Sequence, residues 1–368
     1  MRPARCLAFD RRSAPRLVAG LIFSLLLLTW LNPSWRDRSV HTVARFHPYP
    51  QAHQIDGLCR QHGWSPFRPR GSPARPSPRK VYDLLMVNTE LDWLEIRLNT
   101  TYDFVDYFVV VESPKTFTNH DKPLLIKDNL DKFAAYKDKI IYHTLSIPDG
   151  FHSDRANPAW AWEDLQRNAM YDQVLPRLKG PQAPEEGDAI VVADVDEIIR
   201  PETLVLLKSC NFPRRLNLRS HFYYYSFQFM HKGVQWSHPQ ATYYQGWRTI
   251  LPVNLRNGDG NLPPLVKLET ADLWDAGWHC SSCFSTMEEL LTKMSSFSHQ
   301  WMNHEHYRNR ERIAEHVREG KDIWERPGQE YGRIDNNQDV PKILLDQKER
   351  FKYLMDRDGP SAGFTDYP

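Results

Sequence analysis

Gly187-Asp188-Ala189-Ile190-Val191-Val192-Ala193-Asp194-Val195-Asp196-Glu197 is the stretch from which the rest of the chain is best read. Its continuous apolar run is what a buried parallel strand requires, and it ends abruptly in three carboxylates within four positions. In open α/β sheets ligands bind beyond the carboxyl ends of the strands. Alternate residues of an extended segment point the same way, so Asp194 and Asp196 share one target while Glu197 faces the other way. Two converging carboxylates repel each other unless a cation sits between them, and hard oxygen ligands favour Mg²⁺ or Mn²⁺. Such an ion can bridge a diphosphate and neutralise the charge that builds on a departing phosphate. The competing reading is a helix N-terminus decorated with acids, which would also give Glu197 a capping role.

On either side of this strand the pattern alternates. Val81–Val87, Phe104–Val111 and Ile140–Leu145 read as further strands, with helices over Asp92–Thr101, Trp160–Leu178 and Pro201–Lys208. This alternation over about 130 residues predicts an α/β fold: an open sheet flanked by helices. From Arg214 to Trp247 short aromatic-rich segments predict antiparallel strands, which make the sheet mixed. Met287–Ser295, His304–Glu319 and Pro341–Met355 read as helices. Hydrophobic residues make up 41% of the 368, enough for a sizeable core, and charged residues 25%. Lys plus Arg total 47 against 46 acids, which gives no support to a nucleic-acid partner.

The N-terminus sets the compartment. Arg2, Arg5, Arg11, Arg12 and Arg16 precede a run from Leu17 to Leu31 interrupted only by Gly20, Ser24 and Thr29. It spans roughly 22 Å as a helix, and the positive-inside rule places residues 1–16 in the cytosol and the remainder in a lumen. We read 17–31 as the transmembrane signal anchor of a single-pass type II protein; a cleaved signal peptide is the alternative. Residues 32–80, rich in Pro and Arg, read as a disordered stem, 81–357 as the catalytic domain and 358–368 as a tail. Cys59, Cys210, Cys280 and Cys283 then lie in an oxidising lumen, with three possible pairings. Asn99-Thr100-Thr101 is an N-glycosylation sequon inside a helical pattern.

Walker, Gly-x-Gly-x-x-Gly, Gly-x-Ser-x-Gly and His-Glu-x-x-His motifs are absent. Four other segments together carry a resemblance: Val109-Val110-Val111-Glu112-Ser113, Arg167-Asn168-Ala169-Met170, Asp194-Val195-Asp196-Glu197 and Gly277-Trp278-His279-Cys280-Ser281-Ser282-Cys283-Phe284. Over Tyr82 to Arg357 the chain resembles glycosyltransferase family 17. The resemblance implies a GT-A-like sheet, UDP-GlcNAc as donor, Mn²⁺ or Mg²⁺, and inverting β-1,4 transfer to a mannose of an N-glycan in the Golgi lumen. The alternatives are a catalytically silent lumenal glycan-binding protein and a transferase that uses another nucleotide sugar.

Candidate site residues follow. Asp194 and Asp196 are the metal ligands, and His279 completes the coordination or is simply a buried histidine. Glu112 and Ser113, ending the central strand, face the nucleotide or form a charged strand end. Arg167 pairs with the diphosphate or with a helix neighbour, and Glu197 is counted with the donor-binding residues. An inverting transfer needs a general base; Asp275 and Glu305 are the candidates. Cys280-x-x-Cys283 with His279 also permits a zinc site completed by His299, His304 or His306, against a disulfide. The aromatic run His221–Phe229 serves either sugar stacking or the sheet core.

Overall fold

The computed structural model describes residues 41–43, 48–68 and 79–368. In chain order, α1 (Ala52–Gln61) precedes β1 (Val81–Val87), α2 (Leu91–Thr101), β2 (Tyr107–Glu112), β3 (Ile140–Thr144), α3 (Ala159–Ala169) and β4 (Ala189–Asp194). Then come β5 (Glu197–Ile199), α4 (Pro201–Ser209), β6 (Arg215–Tyr224), β7 (Ser226–His231) and β8 (Gln240–Tyr243). The rest comprises α5 (Pro252–Asn257), β9 (Thr270–Ser281), α6 (Met287–Ser296), α7 (Arg310–Glu319) and β10 (Tyr331–Arg333).

Strands β3, β2, β1 and β4 lie side by side in that order and run parallel. The chain moves outward from β1 to β3, then returns to the other side of β1 to lay down β4. That reversal is a topological switch point, where a crevice opens at the carboxyl ends of the strands. Met86 and Asp194 face each other there. Past β4 the sheet becomes mixed: β8 is antiparallel to β4 and β6, whereas β9 runs parallel to β6.

Alternation along the parallel strands splits the core. Val81, Leu85, Val110, Val191 and Ala193 join α2 and α4 on one face. Tyr82, Leu84, Val109, Ile190 and Val192 meet Ala169, Met170 and Leu175 on the other. Asp83 is the one charge in β1, and it is fully buried. Arg97 of α2 meets it with two 2.7 Å hydrogen bonds, satisfying the charge where it lies.

Several expectations need correction. The stem reading fails for part of 32–80: α1 folds, Cys59 and Trp64 join the core, and Cys59 is disulfide-bonded to Cys210. Ile55, Leu58 and Cys59 recur at helical spacing, a signal that the Pro and Arg content of the neighbourhood had hidden. The tail reading fails too, because Ala362 and Phe364 are buried and Asp366 accepts from the amides of Met287 and Glu288, capping α6. The long helix expected over Trp160–Leu178 stops at Ala169. A wider turn follows over Met170–Val174, because Pro176 lacks an N–H and its ring crowds the preceding turn. The helix expected over Pro341–Met355 is two short ones, Lys342–Asp346 and Lys352–Met355.

The strand β9, with no counterpart in the sequence reading, pairs with both β6 and β5. Gly277 lets β5 approach: a Cβ there would come within 2.3 Å of the Ile198 carbonyl oxygen. Among the described residues no helix is long and apolar enough to cross a membrane, and the anchor read at 17–31 lies outside them.

Candidate active site

The strand β4 delivers Asp194 to the switch point, and a tight turn through Val195 and Asp196 leads directly into β5. The turn is built from below. Arg97, already fixed by Asp83, donates to the backbone carbonyls of Asp194 and Glu197. The Glu197 carboxylate reaches back to accept from the Asp194 amide at 2.9 Å. No helix starts here, so the acid-decorated helix N-terminus does not apply.

The three carboxylates have different surroundings. Glu197 is fully buried. It accepts from Arg256 at 2.7 and 2.8 Å and from the Trp236 indole N–H at 2.8 Å. Burial alone would lift its pKa, but Arg256 holds it far below the usual carboxylate range. It positions other groups and is closed to a ligand, which corrects both the donor-binding and the capping assignments. Asp194 has a side chain 34% exposed, so it can be reached from the cleft. Arg167 holds one of its oxygens at 2.9 Å and Arg256 the other at 2.7 Å. Against the opposing effect of burial, these two arginines keep its pKa low. Arg256 itself is held charged by Asp194 and Glu197.

Asp196 carries no such clamp. Burial pushes its pKa up, despite the opposing influence of the neighbouring His279 and Lys293. Its oxygens lie 3.6 Å from His279 Nδ1 and 3.6 Å from Lys293 Nζ. The His279 ring packs against Phe222 at 5.1 Å and Trp236 at 5.0 Å, nearly parallel to both, in a three-ring cluster in which Phe222 and Trp236 are themselves 5.4 Å apart. Its Nδ1 is buried and makes no hydrogen bond.

These groups open into a cleft of about 480 Å³ lined from β1, α3, the acidic turn, α5, β9 and α6. Six cationic side chains (Lys115, Lys122, Arg167, Arg256, Lys293 and Arg326) outnumber four carboxylates there, which suits an anionic ligand. Trp160, Phe222, Trp236, Phe297 and Trp324 supply flat apolar surface.

The structure thus brings Asp194, Asp196, Arg167 and His279 together on one cleft and leaves the other candidates elsewhere. Glu112 is fully buried and lines no part of the cleft. It accepts from the amides of Ile126 and Lys127 and from the Tyr142 hydroxyl. The Ser113 hydroxyl accepts from the Lys115 amide, shaping a turn. Asp275 sits on a bulge of β9, facing His221 at 2.9 Å and Gln235, outside the cleft lining. Glu305 is exposed in a short turn and is likewise not part of the lining. Cys280 and Cys283 are bonded to each other, which leaves no thiolate for zinc. In the aromatic run Tyr223, Tyr224, Tyr225, Phe227 and Phe229 are core, and Phe222 alone of its aromatics reaches the cleft.

Sequence reasoning missed Arg256 and Trp236. Arg256 comes from a helix of only six residues, and nothing in its local pattern marks it.

The chain matches the model of glycosyltransferase family 17 over residues 17–359 and belongs to that family. It is also similar to curated proteins named β-1,4-mannosyl-glycoprotein 4-β-N-acetylglucosaminyltransferase. The human one is 27% identical over 316 residues, covering 77% of this chain and 56% of the relative. The rat one is 27% identical over 316 residues, 77% of this chain and 55% of the relative. The mouse one is 28% identical over 319 residues, with 77% and 55% covered. The chain spans about half the length of these relatives.

Proposed function

We propose that the protein transfers N-acetylglucosamine from UDP-GlcNAc to a mannose of a glycoprotein N-glycan, in β-1,4 linkage with inversion, at the lumenal face of the Golgi membrane. The observation that carries this reading is the acidic turn at the switch point, opening on a cation-rimmed cleft in a chain of this family. The names of the similar proteins support the transferred sugar and the linkage.

The donor set fits a divalent ion only in part. Among the described residues no group of three or more His, Cys, Asp or Glu side chains is gathered for a metal. Asp194 has both oxygens occupied by arginines, whereas Asp196 and the unpartnered His279 Nδ1 face each other across 3.6 Å. Two protein ligands with phosphate oxygens and water completing the shell is a common arrangement for Mg²⁺-type ions. Asp196 and His279 would therefore hold Mn²⁺ or Mg²⁺. Bound there, the ion would neutralise charge on the departing diphosphate.

The protein's own groups do the rest. Arg167 and Arg256, pre-positioned by Asp194, and Lys293 beside Asp196 offer N–H donors to the diphosphate. A general base has to line the cleft, which Asp275 and Glu305 do not; Glu163 has both oxygens held, by Arg167 and Ser298, so Glu90 is the proposed base. Incubating the full-length protein with radiolabelled nucleotide sugars, an N-glycan acceptor and Mn²⁺ tests the reading. Transfer from UDP-GlcNAc supports it; transfer only from another donor, or none, overturns it.

A further inference from the structure

Three buried polar atoms on this cleft have no hydrogen-bond partner: Asn88 Oδ1, His279 Nδ1 and Ser282 Oγ. Buried polar atoms are nearly always paired, so three orphans around one cavity point to a ligand. His279 Nδ1 faces Asp196 and is absorbed by the cation reading. For the other two, we infer that Asn88 and Ser282 form a subsite for the acetamido group on C2 of the donor sugar. This inference rests on the UDP-GlcNAc reading.

Position comes first. The Cys280 amide donates to the Asp196 carbonyl at 3.4 Å, and the Cys280–Cys283 disulfide closes the turn that carries Ser281 and Ser282. The turn is therefore tied to the acidic residue proposed to face the diphosphate. In a nucleotide sugar the C2 substituent sits one carbon from the anomeric carbon bearing that diphosphate. Whatever holds the diphosphate has the C2 group as its neighbour.

The turn is also built for a purpose beyond chain reversal. Ser282 is 2% exposed and sits in the left-handed region with φ +57°, uncommon for a residue other than glycine. Trp93 in the first turn of α2 donates its indole N–H to the Cys283 carbonyl at 3.0 Å, clasping this turn to the segment that follows Asn88. Asn88 in turn donates from Nδ2 to Ser296 Oγ at 3.2 Å, and its backbone carbonyl accepts from Lys122 at 3.3 Å. That orientation leaves Oδ1 as an acceptor and Ser282 Oγ as a donor. A secondary amide presents both an N–H and a C=O, matching the two. A hydroxyl at C2 also donates and accepts, but from one oxygen, whereas the acetamido N–H and C=O reach two separate partners on opposite sides of the group.

The test is calorimetric binding of UDP-GlcNAc, UDP-glucose and UDP to the full-length protein with Mn²⁺, for the wild type, Asn88→Ala, Ser282→Ala and Ser282→Gly. Glycine removes the hydroxyl yet accepts the left-handed backbone, which separates recognition from folding. The wild type should favour UDP-GlcNAc over UDP-glucose, and each variant should cut that preference about tenfold with UDP affinity unmoved. Equal weakening for both sugars, or an intact preference, overturns the subsite while leaving the donor reading in place. A wild type that binds no UDP, or binds it without preferring UDP-GlcNAc, sinks the donor reading and the subsite together.

Discussion

Two strands of the same parallel sheet, β2 and β4, flank β1 and both end in acids, yet only those at the end of β4 line the cleft. After Glu112 the chain folds back and covers the carboxylate with the amides of Ile126 and Lys127 and the Tyr142 hydroxyl. After Asp194 it turns at once into β5, and Arg97 supports the turn from beneath. Asp194 and Asp196 remain at the cleft rather than sealed, Asp194 balanced by arginines from α3 and α5 and Asp196 without that clamp. A carboxylate at a strand end is therefore an ambiguous sign. What decides is the length and path of the segment that follows, and which side of the switch point it lies on.

The largest effect should come from removing the arginine that balances the open end. Arg256→Met leaves Glu197 buried and unpaired and should cost about 3–5 kcal/mol in denaturant unfolding. Adding Glu197→Gln should recover much of that loss, since the uncompensated charge is then gone. A single variant as stable as the wild type would mean the turn does not depend on this pair.

At the sealed end, Glu112→Gln should cost about 1–3 kcal/mol by weakening its contacts with Ile126, Lys127 and Tyr142. UDP affinity should be unchanged. A loss of UDP binding without loss of stability would put Glu112 back at the nucleotide.

A further effect, confined to acidic pH, concerns His238. Burial, helped by Arg256, pushes the pKa of His238 beside the open end down to about 4, so the folded protein keeps it neutral. The unfolded chain takes up its proton below about pH 6.5, its ordinary value. Stability from this group is therefore present above 6.5 and is lost as pH falls from there toward 4. His238→Gln should flatten the stability profile across that window, measured by melting curves at a series of pH values. An unchanged slope would show that His238 does not contribute.

Much of this contrast was legible in the sequence, and the rest was hidden for physical reasons. The strands β1, β2 and β4 announce themselves because buried parallel strands must be continuously apolar. Asp194 and Asp196 stand out because acids interrupt such a run. The fate of Glu112 was not legible, since its partners are backbone amides, which any sequence supplies. Arg256 and Trp236 were invisible because α5 and the segment before β8 reach Glu197 only through tertiary folding, about 40–60 residues on. Asp275 was favoured for adjoining His279 in sequence, but four residues along a strand is roughly 13 Å. The helix α1 was lost to composition, its few apolar positions outnumbered by the Pro and Arg of the surrounding stretch.

The central claim is that the acidic turn holds a cation against the donor diphosphate, and Asp196 tests it most directly. Asp196→Asn keeps the side chain's size and removes its charge. UDP affinity should be measured with and without Mn²⁺ for the wild type and this variant, beside a melting curve. The Mn²⁺-dependent gain in affinity should disappear, while the melting temperature holds or rises because a buried acid crowded by Asp194 and Glu197 has been neutralised. Undiminished Mn²⁺-dependent UDP binding by Asp196→Asn would contradict the site.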